Sequence, residues 1–385
     1  MHREELIERA RALVPTLRAR ADAAETLRRV PDETIADLVA AGFPRICQPE
    51  RFGGGQCGWD TLCAATMELA HGDGAQAWVA NVYAEHNFLL ALFPDQAQHE
   101  VWDDNPDALI SASVLPAGNT VERANGGYVL SGRWSFLSGV YHSQWSILGE
   151  FVRDGETAQH HFFLVPARDR SLIDDWHALG MAGTGSASVM LDRVFVPAHR
   201  SLSNALINRG ATPGAEVNTA PIYRMPMLGF SHLALGTVPV GIAEAMIEDF
   251  AEFIRSKRGP GALPLWTGNI HGRIAEAAAE ARAARLMVLD AAGEMTRKLN
   301  AGDPLTAMDS ANYLRDSAYA CQLSRRAASR LFEAVGAHGV FAGSPMQRAF
   351  RDIYAATVHA GLNWDRATDV YGRLMTGLPP APPRF

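Results

Sequence analysis

A serine at a small corner, ringed by aromatic side chains, is the first place in this sequence where chemistry could be done. Arg133 to Trp145 reads RWSFLSGVYHSQW, placing Ser138 and Gly139 between Phe136 and Tyr141, with tryptophans at 134 and 145. Two uses fit that composition. The rings fill a core, or they wall a pocket for a flat ligand to which Ser138 supplies the polar contact. The stretch alone leaves both open. Other reactive residue types are spaced less favourably. Cys47, Cys57, Cys63 and Cys321 form no Cys-x-x-Cys pair, and no histidines complete a zinc spacing around them, so they read as reduced thiols. His160 and His161 are adjacent on a strand-like run, which sends their side chains to opposite faces, and no metal site is expected.

The glycine cluster Gly180, Gly183, Gly185 lies between two strand-like runs, not between a strand and a helix. It is therefore no dinucleotide fingerprint, and P-loops and G-x-S-x-G elbows are absent. The sequence presents no nicotinamide site of its own.

The elements that must position these residues fall into three stretches. Residues 1–105 read as an N-terminal helical domain: Leu6, Ile7, Ala10, Leu13, Val14 and Leu17 keep a helical stripe, Pro31 opens a second helix, Trp59 to Phe93 is helical, and Pro94-Asp95 starts another. Over 106–205 the period becomes alternating, in short runs broken by Gly, Asn, Asp and Pro, with a hairpin at Asn125-Gly126-Gly127. Over 206–385 helices return at 227–258, 269–300, 304–336 and 346–375, with Asp303-Pro304 as a cap and first-turn proline. The expected fold is α+β and mainly α: a helical domain, a small β-barrel or sandwich, and a four-helix bundle.

A net charge of -7 argues against a nucleic-acid surface or a basic membrane patch. No apolar run reaches membrane-spanning length, and the opening MHREELIERARALV is charged and amphipathic, unlike a signal peptide, so a cytoplasmic location is expected.

Three stretches then carry a resemblance to the acyl-CoA dehydrogenase superfamily over nearly the whole chain. ALGMAGTGSASVMLDRVFVP (178–197) looks like the family's Gly-Met-x-Gly-[ST]-x-Ser segment running into Asp-x-Val-x-Val-Pro. HGVFAGSPMQRAFRD (338–352) is similar to its C-terminal Arg-x-x-Arg-Asp signature, and RWSFLSG occupies the place of the loop that meets the flavin. The chain departs from the dehydrogenases where they keep their base: RDIYAATVHAGLNWD has no Glu between Asp352 and Asp365, and RSKRGPG (255–261) replaces the Arg-x-Gln-Phe run. It more closely resembles the monooxygenase branch, the oxygenase components of two-component aromatic hydroxylases, through RWSFLSG, EHNFLLALFP and VHAGLNWD.

That resemblance implies a flavin-dependent monooxygenase. Such an enzyme takes reduced FAD or FMN from a separate NAD(P)H:flavin reductase and uses O2, through a C4a-hydroperoxyflavin, to hydroxylate a phenol or related aromatic. It implies catalytic roles for His359 (binding and deprotonating the substrate hydroxyl), His86 and Ser138. It implies flavin contacts from Trp134, Phe136, Ser138 and its backbone, Gly139, Ser113, Arg224, His338 and Gly339, and a homotetramer. Arg351 and Asp352 read as a structural ion pair. Three alternatives remain, an acyl-CoA dehydrogenase with a displaced base, a relative that oxygenates indole, nitrogen or sulfur, and a non-catalytic, flavin-free scaffold that keeps only the fold.

Overall fold

The structure, a computed structural model, describes residues 2–226, 232–256 and 269–379. The expected ends of the first bundle helix at 227 and 258, and most of RSKRGPG, lie outside those residues.

Six helices come first: α1 (Arg3–Ala19), α2 (Ala21–Leu27), α3 (Asp32–Ala40), α4 (Trp59–Ala70), α5 (Gly74–Leu90) and α6 (Asp95–Trp102). The helical stretch expected over Trp59–Phe93 is made of two helices. His71–Asp73 interrupts it, and Asp73 caps α5 by accepting the Gln76 N–H at 2.8 Å, an N-cap bond that satisfies an otherwise orphaned donor.

The strands form two four-stranded sheets. One has the order β1 (Ile110–Ser113), β4 (Trp145–Asp154), β5 (Thr157–Pro166), β8 (Ser201–Ser203). The other has β2 (Thr120–Ala124), β3 (Gly127–Trp134), β7 (Ser188–Pro197), β6 (Ser171–Ile173). Among the described strands only β1 and β4 pair in parallel. The sheets face each other across Leu130, Trp134, Leu148, Phe163, Val165, Val189 and Leu191. This is a sandwich with open edges, so the barrel half of the expectation is set aside. The short strands β6 and β8 have too few residues to show an alternating pattern in sequence.

Two short helices follow, α7 (Asn204–Asn208) and α8 (Pro213–Val217), and then the bundle: α9 (His232–Ser256), α10 (Ile270–Ala301), α11 (Ala307–Val335), α12 (Pro345–Ala356) and α13 (Trp364–Met375). Two expectations change here. Helix α11 is not capped at Asp303-Pro304. Thr306 Oγ1 accepts the Asp309 N–H at 3.1 Å while Asp309 Oδ2 accepts the Thr306 N–H at 2.8 Å, a reciprocal box that satisfies two donors where an Asp-Pro pair would satisfy fewer. The last bundle helix is also broken, between Thr357 and Asn363, and His359 sits in the break instead of on a helix. Asn363 restarts the chain as α13 by accepting the Arg366 N–H at 2.9 Å. One apolar core runs continuously from Leu17, Met67 and Leu89 to Val240, Ala284 and Leu331, so the N-terminal helices and the bundle bury a common interior.

Candidate active site

Helix α5 gathers the site. Every residue of GAQAWVANVYAEHNFLL is buried except His86; a helix apolar nearly all round is one enclosed by other elements. Three of its side chains reach the β region. Trp78 Nε1–H donates to Ser138 Oγ at 3.1 Å, Tyr83 O–H donates to the Gly139 carbonyl at 2.6 Å, and His86 Nδ1 lies 2.7 Å from the Ile110 carbonyl. The Trp78 ring also meets His359 edge-to-face, centroids 5.6 Å apart, and His359 in turn lies 6.5 Å from the ring of His232. Ser138 and His359, distant in sequence, thus share one indole.

The hydrogen bonds fix the histidine tautomers. A carbonyl only accepts, so His86 Nδ1 carries the proton and its Nε2 is left with a lone pair. His359 is the reverse: Nδ1 accepts the Gly361 N–H at 3.1 Å, so Nε2 carries the proton. Burial pushes His86 down to about 4, outweighing its bond to Ile110. His359 is solvent-accessible yet crowded by protein on its other sides, and that crowding, with the nearby Arg366 guanidinium, pushes it down to about 4. His232 falls to about 3, from burial first and then His359 and Arg366. All three imidazoles are neutral near pH 7.

Opposite them stands a run of hydroxyls. Ser138 Oγ is 2.8 Å from Ser186 Oγ, Ser186 Oγ is 2.7 Å from Thr184 Oγ1, and Thr184 O–H donates to the Met181 carbonyl at 2.8 Å. The backbone donors here are engaged: the N–H groups of Leu137, Ser138 and Gly139 donate to Ala187, Phe136 and Thr184 respectively. Ser138 therefore offers a ligand its hydroxyl and not its N–H. Gly139, with both backbone groups used and φ at +72°, holds the corner instead of binding, because a Cβ there would lie 2.6 Å from the Tyr83 hydroxyl oxygen.

Other expected contacts divide. Trp134 does not wall a ligand: strand alternation turns it inward, it is fully buried in the sandwich, and its Nε1–H donates to the Gly149 carbonyl at 3.0 Å. Phe136 remains at the surface, 72% exposed and at a φ of +65°. An apolar ring held outward in a left-handed backbone, beside a buried serine, fits a flat tricyclic cofactor, and the residues present are consistent with a flavin. Ser113 ends β1, half-buried, three residues beyond the carbonyl that holds His86. Arg224 is exposed on the turn after α8, and no described hydrogen bond or ring contact joins it to the others. His338 and Gly339 are not brought to the cluster. The His338 ring rests 5.8 Å from Phe253, which lies 21 residues along α9 from His232, roughly 32 Å at helical rise.

Sequence reasoning passed over Trp78, Thr184, Ser186 and His232. The hydroxyls at 184 and 186 were visible inside the glycine cluster. Trp78 gave no signal beyond an aromatic in an apolar helix.

Arg351 and Asp352 are not paired with each other. Arg351 donates to the Leu179 carbonyl at 2.7 Å and pairs with Glu25 at 2.5 Å, whereas Asp352 accepts the Met181 N–H at 2.5 Å. The two family motifs interlock here. A Cβ on Gly180 would lie 2.3 Å from the Arg351 carbonyl oxygen, so only glycine permits the approach. Two open surface clefts, of about 620 and 520 Å3, lie elsewhere, one around Arg273, Arg325 and Tyr354 and one around Glu25, Arg348 and Arg351. Both are ringed by charge, unlike a site for an aromatic ligand.

Comparison with known proteins places this arrangement. Family models for the acyl-CoA dehydrogenase N-terminal and C-terminal domains match residues 2–102 and 233–364. The chain is 35% identical to the oxygenase subunit HsaA of a flavin-dependent monooxygenase from Rhodococcus jostii, over 97% of this chain and 98% of that protein. It is 34% identical to the oxygenase component of an FADH(2)-dependent resorcinol hydroxylase from a Rhizobium species, over 97% and 95%. The crystal structure of 3-HSA hydroxylase from Rhodococcus sp. RHA1 superposes with a TM-score of 0.94 at 35% identity, covering 97% of each chain. The fold and site define a flavin-dependent oxidoreductase on the acyl-CoA dehydrogenase architecture. Within that superfamily the chain belongs to the oxygenase components of two-component flavin-dependent monooxygenases.

Proposed function

We propose that this oxygenase component hydroxylates a phenolic or closely related aromatic small molecule. It would do so with O2 and with FAD or FMN reduced by a separate NAD(P)H:flavin reductase. The observation that carries the reading is the polar content of the site: neutral imidazoles and hydroxyls, with no described carboxylate bonded to Ser138, His86 or His359. An acyl-CoA dehydrogenase uses a carboxylate base, whereas a neutral imidazole is suited to take the proton of a phenol.

The hydrogen bonds support a different division of labour from the one the resemblance implied. His86, with its Nε2 lone pair free, takes the phenolic proton and leaves an electron-rich ring. His359, with its proton on Nε2, serves as a hydrogen-bond donor instead of the base. Phe136 and Trp78 exclude water, and Ser138 meets the N5 edge of the flavin. Bound reduced flavin supplies the two electrons for O2, of which one atom enters the ring and the other leaves as water. Ser113, on the strand that holds His86, lies within the substrate's side of the site.

Val340 and Phe341, 64% and 67% exposed beside His338, fit burial in a homotetramer, and there His338 and Gly339 would serve a neighbouring subunit's flavin. No described helix is long and apolar enough to cross a membrane, which accords with a cytoplasmic oxygenase. To test the reading, the purified chain is supplied with NADH and an unrelated flavin reductase and screened against simple phenols in air. Flavin-loaded protein is also mixed with acyl-CoA thioesters anaerobically. Hydroxylated phenol with no acyl-CoA bleaching supports it; bleaching by an acyl-CoA with no phenol product overturns it.

A further inference from the structure

The hydroxyl run behind Ser138 has a direction, and the direction has a consequence for which form of flavin the site accepts. At one end stands a group that can only donate, Trp78 Nε1–H, 3.1 Å from Ser138 Oγ. At the other stands a group that can only accept, the Met181 carbonyl, 2.8 Å from Thr184 Oγ1. The Thr184 proton must point to Met181, or two acceptor oxygens would face each other at that distance. Thr184 Oγ1 then accepts from Ser186, 2.7 Å away, and Ser186 Oγ accepts from Ser138, 2.8 Å away. All three side chains are buried, at 2% (Thr184), 6% (Ser186) and 9% (Ser138) exposure, so water does not compete for these bonds. The Met181 end is itself pinned, because its N–H donates to Asp352 at 2.5 Å and its carbonyl also accepts from Trp176 Nε1–H at 3.2 Å.

We propose that Thr184 and Ser186 are positioning residues which turn the Ser138 proton inward, so that Ser138 shows a bound flavin a lone pair and no proton. This rests on the reading that Ser138 meets flavin N5. Reduced flavin carries a hydrogen on N5 and donates to that lone pair; oxidised flavin has only a lone pair there and meets repulsion. The chain therefore selects the reduced cofactor that a separate reductase delivers, and releases it once oxidised. Trp78 contributes by occupying the other Ser138 lone pair, which leaves one acceptor site and no alternative rotamer.

Ser186→Ala removes the inward acceptor of the Ser138 proton, and Thr184→Val removes the acceptor that orients Ser186, so that Ser186 can donate to Ser138 instead; neither touches the ligand. In either variant the Ser138 proton is free to turn outward and donate to N5 of oxidised flavin. The measurement is the dissociation constant of oxidised and of reduced FAD and FMN, each by anaerobic ultrafiltration, for wild type, both variants and Ser138→Ala. Wild type binds reduced flavin more tightly. The ratio of oxidised to reduced constants falls about tenfold in Ser186→Ala and Thr184→Val, the worth of roughly one hydrogen bond. The fall comes from tighter binding of the oxidised form, a gain that Ser138→Ala does not show. A general loss of structure would weaken both forms together and leave the ratio in place, and that result overturns the proposal. So does a wild type without preference. Wild-type protein that binds neither form would sink the flavin reading itself; a preference for reduced flavin that survives both substitutions would sink only the polarised chain.

Discussion

The two walls of the site hold their protons by different means. On the β side Ser138, Ser186 and Thr184 are hydroxyls that do not titrate in water's ordinary range, and fixed donors and acceptors set where each proton points. On the other side His86, His359 and His232 do titrate, and burial at His86 and His232, with the crowding protein and the Arg366 guanidinium at His359, sets whether a proton is present at all. The first arrangement is insensitive to pH and sensitive to a single lost partner. The second tolerates a lost neighbour and responds to acid. A site that must discriminate cofactor states and also take a proton from its substrate has use for both.

The largest expected break in that comparison is on the imidazole wall. His86→Ala removes the imidazole whose Nδ1 is tied to the Ile110 carbonyl and whose Nε2 has no described partner, and phenol hydroxylation should fall by about 10²–10⁴, read as product formed per flavin oxidised. His359→Ala should cost less, since its proton-bearing nitrogen can be replaced by water. Equal losses in the two variants would remove the distinction drawn from their tautomers.

Acid sharpens the same contrast. With His86 and His359 both pushed down to about 4, the acidic limb of kcat/KM should fall near pH 4–5 and not near the ordinary histidine value of 6.5. Unfolded histidines take up protons at about 6.5, so the stability these neutral groups hold above that pH is lost as pH drops from 6.5 toward 4. A limb centred at 6.5 in the pH–rate profile would show that burial does not govern this wall.

The hydroxyl wall is broken from behind. Gly180→Ala forces a Cβ to within 2.3 Å of the Arg351 carbonyl oxygen and displaces the loop that carries Met181. Overpacking of this kind costs about 1–3 kcal/mol, measurable by urea unfolding, with flavin discrimination expected to weaken in parallel. The smallest effect belongs to Asp352. Burial, and the nearby Asp73, raise its carboxyl to about 7. Its folded value lies above its unfolded one, so stability is lost as pH rises from about 4 through 7 and the penalty is complete above that. Asp352→Asn keeps an acceptor for the Met181 N–H without the charge. It should be at least as stable as wild type at pH 8, and its advantage should vanish by pH 5; thermal melts at the two values check this.

The order of helices, strands and bundle was readable because periodicity changes sharply near 106 and again after 205. Breaks inside elements were harder. The restart at Asn363 is a capping signal, Asn followed by an acidic first turn, but it lies within a run whose helical pattern continues on both sides. That hid the fact that His359 is a loop residue. Ser138 and His359 were legible as chemistry, and the residue that joins them was not. Trp78 looks like core by composition, and its use follows only from which way its indole N–H points. Trp134 shows the converse: an aromatic beside the serine, turned inward by a strand's two-residue period.

This oxygenase component inserts oxygen from O2 into an aromatic ring with electrons from reduced flavin. The most direct measurement mixes the purified chain anaerobically with chemically reduced FAD, then adds 18O2 and resorcinol or a similar phenol, and weighs the product by mass spectrometry. One 18O atom per hydroxylated ring, with the yield of labelled product cut by about 10²–10⁴ when His86→Ala replaces wild type, is the predicted result. Flavin reoxidation that leaves the phenol unlabelled, across a panel of phenols, would contradict the account.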